Sequence, residues 1–421
     1  PDATVEPTTS VDHDATVEPT TSVDPDTTVE PSLSPEPSET VTPEPSPTVV
    51  VVESLALTVD TAELLVSDQT QLHVELLPAE AASPKLSFTS DNEAVVSVDE
   101  NGLATANAVG TATLTVTAAY DDSLGFAPLT ASVEMIVGAF AFSGSGAGDD
   151  PFLIATADDL QKLAELVNAG DTHYVAAAYR QTADISLRKR TWTPIGTAEH
   201  PFAGVYDGGG CKLTRMTVQA ASDAAGLFGV TQDARLLRIA LENGTGNGAS
   251  GVALGLIAGE LHGGSLSDSY TTGKLVGARD EAVGGLVGKA ENAAIDNCFS
   301  LAGVSAKGVG GVLVGRMVNS SLQSCYGRSE PSMVDLTELI GSEDGASFAH
   351  VYSVSAESSH AANLVYDEAI QSDSFGGFDF GGVWQQNPDA EYPFPVLRMS
   401  PSDGLATYGE LVDEEHPTGS I

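Results

Sequence analysis

"VGGLVGKAENAAIDNCFSLAG" (283–303) gathers glycines around a short apolar core and then offers an Asn-Cys pair. It can be read as a phosphate-cradling loop or as one coil of a repeat. A P-loop needs Gly, four residues, then Gly-Lys-Ser/Thr, so that backbone amides and a hydroxyl surround phosphate and magnesium. Here Val283 takes the first glycine place and Ala290 the hydroxyl place. Neither this stretch nor Gly308-Val309-Gly310-Gly311-Val312-Leu313 completes the dinucleotide-binding G-x-G-x-x-G after a strand. The nucleotide reading fails on its own motif.

The repeat reading succeeds. "GLFG" (226–229), "GLIAG" (255–259), "GGLVG" (284–288) and "GVLVG" (311–315) can be superposed. The motif glycines are Gly226, Gly229, Gly255, Gly259, Gly285, Gly288, Gly311 and Gly315, and the final ones are spaced by 30, 29 and 27 residues. Such a slightly elastic period signals a solenoid. Seven residues past each final glycine stand Leu236, Leu266, Ile295 and Leu322. Ten past stand Ile239, Ser269, Cys298 and Cys325, and eleven past stand Ala240, Tyr270, Phe299 and Tyr326. A chain returning every ~28 residues can stack coils ~4.8 Å apart with parallel strand pairing, so equivalent residues form ladders. The aliphatic ladder is expected inside, with glycines allowing tight corners and close approach between coils. Parallel crossovers favour the right hand. Cys298 and Cys325 share an offset, which predicts neighbouring Cα atoms within disulfide range, as free thiols or as a bond.

The whole chain has 421 residues, with 17 Lys+Arg against 59 Asp+Glu and a formal net charge of −42. That charge repels nucleic acid and anionic lipid over most of the surface and keeps a protein soluble and monomeric. Three cysteines (Cys211, Cys298, Cys325) are too few for a disulfide scaffold and lack zinc-site spacing. No run approaches the ~18 apolar residues of a membrane helix. The sequence opens at Pro1 inside a repeat, which suggests a fragment with signal and anchor outside it.

Three zones follow from composition. "DATVEPTTSVDH" (2–13), "DATVEPTTSVDP" (14–25) and "DTTVEPSLSPEP" (26–37) repeat with period 12, and no Lys or Arg precedes Lys85. Acidic Pro/Ser/Thr units cannot bury a core, so residues 1–53 are expected to be a disordered stalk. Alternating runs then appear: "LALTV" (55–59), "QTQLHVEL" (69–76), "LSFTS" (86–90), "AVVSVD" (94–99), "GTATLTVTA" (110–118) and "TASVEMIV" (130–137). Half-buried strands at this density predict a β-sandwich over residues 54–138. The third zone, 139–400, opens on one helix: Thr156 can cap it with Asp159 three residues on, Leu160, Leu163, Ala164 and Val167 share a face, and Gly170 stops it. An amphipathic helix can cover the open edge of a solenoid, so it is read as an N-terminal cap. Residues 401–421 are a tail.

The run "SDNEAVVSVDENGLATANAVGTATLTVTA" closely resembles the bacterial immunoglobulin-like domain, group 2, and the glycine motifs resemble the GLUG repeat of bacterial surface proteins. "GSGAGDDPFLIATADDLQKLAELVN" (144–168), "WTPIG" (192–196), "PFAGVYDGGGCKL" (201–213) and "VWQQNPDAEYPFPVL" (383–397) look like the entry, first coils and exit of that same repeat family. Cys211 departs from the polar residue usual in its Asp-Gly-x-Gly turn, and residues 329–382 show no clean fifth motif. The resemblance implies an extracellular module and a solenoid displayed on a bacterial surface.

Chemistry is sparse. His73, His173, His200, His262, His350 and His360 form no H-E-x-x-H or spaced Cys/His cluster, and G-x-S-x-G is absent. A β-helix lyase or hydrolase would need paired carboxylates or a base in a groove. Nine past the final glycine stand Arg238, Asp268, Asn297 and Ser324; eight past stand Leu237, Ser267, Asp296 and Gln323. No carboxylate pair stacks in either row, although Asp268 and Asp296 can approach diagonally. "RKRTW" (188–192) is a lone basic cluster that reads as a solvated loop. The sequence therefore predicts an all-β protein: disordered stalk, immunoglobulin-like sandwich, then a right-handed parallel β-solenoid with one capping helix. No cofactor, metal or catalysis is expected. Function is read as adhesin-like binding of a glycan or a host or matrix protein by a monomer displayed in many copies at the cell surface or outside it. The alternatives are a glycan-active enzyme and a non-binding component of wall or biofilm.

Overall fold

The computed structural model describes residues 50–219, 224–278, 282–328, 338–354, 358–387 and 392–399. The period-12 repeats and the tail lie outside these residues.

Alternating sequence produces a two-layered sandwich. One sheet orders Ser54–Val59, Gln69–Leu77, Leu103–Ala106 and Val96–Val98; the other orders Glu63–Leu65, Leu129–Gly138, Gly110–Ala119 and Lys85–Ser90. Along Gly110–Ala119 the period-2 pattern turns Ala112, Leu114, Val116 and Ala118 inward and the threonines outward. Leu64, Leu72, Val96, Leu114, Met135 and Val137 close the core between the sheets. Glu63–Leu65 is too short to show periodicity and pairs parallel with Leu129–Gly138.

Beyond Gly138 the chain coils. Parallel pairing runs through Phe152–Ile154, Ala178–Gln181, Val205–Asp207, Arg235–Leu237, Ser265–Val276, Ala294–Ser300, Ser321–Arg328, Ser347–Val354 and Ala362–Leu364. A second face stacks Phe228–Gln232, Ala258–His262, Val287–Glu291, Val314–Val318 and Ile340–Asp344. Leu236, Leu266, Ile295 and Leu322 are mutual register partners, continue to Phe348, and are at most 1 % exposed. Burying each such side chain contributes about 1.5–3 kcal/mol. The final glycines are needed for close approach: a Cβ at Gly288 would lie 2.6 Å from Leu254 N, and one at Gly315 would lie 2.5 Å from Val283 N. At the front of the motif the register aligns Gly255, Gly284 and Gly311, so Gly285 stands one residue beyond the equivalent place.

The cap is α1 (Ala157–Asn168). Thr156 Oγ1 accepts from Asp159 N at 3.1 Å while Asp159 Oδ2 accepts from Thr156 N at 2.9 Å, which satisfies donors otherwise orphaned at a helix start. Leu160, Leu163, Ala164 and Val167 close the end of the solenoid core beside Phe152 and Trp192. The short helix Thr172–Val175 follows, and His173 Nε2 meets Asp68 Oδ1 of the sandwich at 2.7 Å.

Two features of the late chain go beyond the motif reading. A fifth coil exists where no clean motif was legible: Ile340 pairs with Val314 and Tyr352 with Tyr326, with Gly341 as the final glycine. The C-terminal stretch does not stack as a further coil. Trp384–Gln386 and Pro395–Leu397 form an antiparallel pair, and this segment lies back over the coils until Met399 O reaches Gly210. Beneath it, Tyr270, Phe299 and Tyr326 form an outward ladder, with ring centroids 4.8 and 5.0 Å apart and planes within 7°. Trp384, Tyr392, Phe394, Phe375 and Phe378 bury that ladder in a second core. Tyr326 Oη lies 2.7 Å from Tyr392 Oη and donates to Pro395 O at 2.6 Å.

Candidate functional site

Two corners recur in each coil. Four residues past the final glycine, Asp233, Gly263, Asn292, Asn319 and Gly345 have φ between 47° and 66°. Nine past it, Arg238, Asp268, Asn297, Ser324 and His350 have φ between 49° and 56°. Left-handed backbone suits Gly, Asn and Asp and is less favourable for Arg and Ser. At three of these corners the next N–H is buried. The following coil answers it with a short side chain: Ile239 N donates to Ser269 Oγ at 3.0 Å, Ala293 N to Ser320 Oγ at 3.1 Å, and Cys298 N to Cys325 Sγ at 3.3 Å. The cysteines are neighbours as their shared offset requires, and both are free thiols. Burial pushes the Cys298 thiol well above its ordinary value, which suits a hydrogen-bonding role rather than a nucleophilic one.

The second corner row brings acids together. Asn297 Nδ2 donates to Asp268 Oδ1 at 3.3 Å and to Asp296 Oδ2 at 3.2 Å, and Trp384 Nε1 donates to Asn297 Oδ1 at 3.4 Å. Burial pushes the Asp296 carboxyl up, and the Asp268 charge adds to this against the Asn297 N–H. Beside the first residue of this row, Asp207 accepts from Arg180 Nε at 3.3 Å and Arg238 Nε at 2.8 Å. Burial pushes Asp207 up, but Arg238, Gly209 N–H and Arg180 outweigh it and hold the carboxyl below its ordinary value. Arg238 is thus a structural counter-ion.

The open face carries a different set. One residue past the final glycine the outward row reads Val230, Glu260, Lys289, Arg316, Ser342; three past it reads Gln232, His262, Glu291, Val318, Asp344. His262 Nε2 lies 2.6 Å from Glu260 Oε2, and its Nδ1 lies 3.6 Å from Glu291 Oε2, so the imidazole bridges two glutamates. Lys289 Nζ lies 2.8 Å from Glu291 Oε2. The Lys289 hydrogen bond holds Glu291 below the usual carboxylate range, helped by the charges of His262 and Arg316.

Glu260 and His262 line a cleft of about 440 Å³ with Ala198 and Pro201 from one overhanging loop and Gly251, Val252 and Ala253 from another. Ala224, Val230 and Ala253 form an apolar cluster apart from the main core, each at most 9 % exposed. The cleft therefore has an aliphatic wall and an anionic end. Its described lining sets a carboxylate, an imidazole and the Gln232 amide beside the aliphatic surface. Among the described residues no three His, Cys, Asp or Glu side chains are arranged to hold a metal ion, and no helix is long and apolar enough to cross a membrane.

The other residues singled out from sequence are dispersed. His73 pairs with Asp60 on the sandwich surface at 3.1 Å, His360 lies tilted against Phe348 with ring centroids 5.0 Å apart, and Arg190 reaches Asp158 of α1 at 2.7 Å. The Glu260–His262 pair was missed because it follows no catalytic motif. Its signal was the repeat itself, which places Glu260, Lys289 and Arg316 in one row and His262 and Glu291 in another.

Residues 51–123 match the bacterial Ig-like domain (group 2), and residues 280–305 match the GLUG motif. Halomucin of Haloquadratum walsbyi is 28 % identical over 277 residues, which is 56 % of this chain and 3 % of halomucin. The chain thus spans a small fraction of that relative. A solved structure reported as a candidate immunoglobulin A1 protease from Bacteroides ovatus is 17 % identical with a TM-score of 0.50, covering 61 % of this chain and 95 % of its own; this likeness is one of fold. The chain carries a bacterial Ig-like (group 2) domain followed by a GLUG-motif β-solenoid.

Proposed function

We propose that the protein is an adhesin-like binding module, displayed at the cell surface or secreted, whose solenoid recognises a glycan or protein partner without cleaving it. The observation that carries this reading is the cleft on the open face: an aliphatic wall ending in the Glu260–His262 pair, built on stacked coils that hold both side chains in fixed register. Rigid scaffolds lower the ordering cost of binding. The Ig-like domain and the likeness to halomucin support a location outside the cytoplasm. Display of many copies would convert weak single contacts into avidity.

The test is a glycan and matrix-protein array probed with the full chain, run beside an assay for new reducing ends or unsaturated products on polysaccharide panels. Binding without turnover is expected. Turnover abolished by Asp268→Asn or Asp296→Asn would replace this reading with a glycan-active enzyme, since the raised Asp296 carboxyl beside Asp268 is the observation that favours an acid catalyst.

A further inference from the structure

The cleft on the open face restricts its occupant. Ala224, Val230 and Ala253 offer aliphatic contact, and no Phe, Tyr or Trp stands among the described lining residues. A sugar ring finds no phenyl, phenol or indole face to stack on there. The polar end carries Glu260, with a side chain 29 % exposed, and His262 at 25 %. His262 is turned toward the protein's own carboxylates, with Nε2 2.6 Å from Glu260 Oε2 and Nδ1 3.6 Å from Glu291 Oε2. Glu260 and the Gln232 carbonyl are acceptors, so the end of the cleft asks for a donor of positive charge. The neighbouring cation, Lys289, is held by Glu291 at 2.8 Å and does not line the cleft. The whole molecule, at a net −42, draws cationic ligands toward it.

A long basic side chain matches both halves. Its methylene stem would lie along Ala224, Val230, Val252 and Ala253, and its charged head would donate to Glu260. We propose that this cleft is the docking pocket for a lysine or arginine side chain of a partner polypeptide. The inference rests on the binding-module reading and narrows its partner to a protein with an exposed basic segment.

The test is calorimetric titration of the full chain with a soluble peptide in which single lysines are spaced by Gly-Ser, at physiological salt so that diffuse attraction is screened. Glu260→Gln is expected to weaken binding at least ~10-fold, the scale of one charge-assisted hydrogen bond. Ala253→Leu, which fills the cleft without altering charge, is expected to weaken it comparably. Glu93→Gln, an exposed position on the sandwich, serves as the charge-matched control and is expected to leave binding unchanged. Equal losses in Glu260→Gln and Glu93→Gln would mean diffuse electrostatics and overturn the pocket. Peptide binding unaffected by Ala253→Leu, or an N-acetylhexosamine oligomer that binds in an Ala253-dependent way while the peptide does not bind, would also overturn it. Either result leaves the binding-module reading standing, whereas silence on every array would remove that reading first.

Discussion

The two outer faces of the solenoid share one period and one set of corners, yet they treat their outward rows in opposite ways. On the open face the rows are charged, mixed in sign and cross-paired: Glu260 with His262, Lys289 with Glu291. On the covered face the outward row is Tyr270, Phe299 and Tyr326, rings stacked almost parallel and sealed by Trp384. A repeat builds a ladder from whatever stands at a given offset. Charged ladders can stay in water, while aromatic ladders need a second layer, and the C-terminal segment supplies it. The comparison separates a face left in water from one committed to stability.

Removing the seal should break that division most severely. Trp384→Ala, at a fully buried site against Phe299, Tyr326 and Phe378, is expected to cost about 3–5 kcal/mol in denaturant unfolding. A loss under ~1 kcal/mol would show that the segment is not part of the core. Next comes the spacing both faces depend on. Gly288→Ala pushes a methyl to 2.6 Å from Leu254 N and should cost roughly 1–3 kcal/mol, measured in the same way. Wild-type stability in this variant would refute close backbone approach as the reason for glycine.

The corner behind the covered face offers a finer test. Cys325→Ala leaves Cys298 N–H without its 3.3 Å acceptor and should cost about 1–3 kcal/mol. Cys325→Ser should recover much of this, because Ser269 fills the same role two coils earlier and Ser320 fills it at the other corner of the same coil. If Ser were no better than Ala, packing rather than the hydrogen bond would explain the site. On the open face, Lys289→Gln should change stability by only ~0.5 kcal/mol, the usual scale of a partly exposed pair. A loss above ~2 kcal/mol would erase the contrast between the faces.

The junction between sandwich and cap predicts a slope rather than a step. Burial pushes the His173 imidazole down, but its contacts with Asp68 at 2.7 Å and Asp171 at 3.0 Å outweigh this and leave it above the ordinary histidine value. A group whose folded value is raised stabilises fully below the unfolded value and loses that contribution as pH rises through the folded one. Thermal midpoints should therefore carry a small decline that begins near pH 6.5 and that His173→Gln removes. The same slope in the variant would assign it to other groups.

Legibility followed periodicity. The strands of Gly110–Ala119 and Leu129–Gly138 could be read because one face of each is apolar at period 2. The interior ladder from Leu236 to Leu322 could be read because four coils repeat the same type at the same offset. The fifth coil escaped because Phe348 and Val351 keep the register while the motif around Gly341 has lost its first glycine. The cleft escaped because its walls come from loops after Gly196 and before Leu254, which differ from coil to coil and carry no period.

Sequence by itself determined the period, the inward ladder, the capped helix at the entry and the neighbourhood of Cys298 and Cys325. Each depends on spacing along the chain, which stacking converts directly into distance. Tertiary structure alone decided which face stays open. The Tyr270–Phe299–Tyr326 row reads as core wherever it points, and nothing local shows that left-handed corners at Asp268, Asn297 and Ser324 turn residue ten inward and residue eleven outward. Nor does local pattern show that Trp384, 87 residues beyond Asn297, returns to donate to its side chain. The return is driven by hydrophobic burial, which depends on surface removed from water and not on order along the chain.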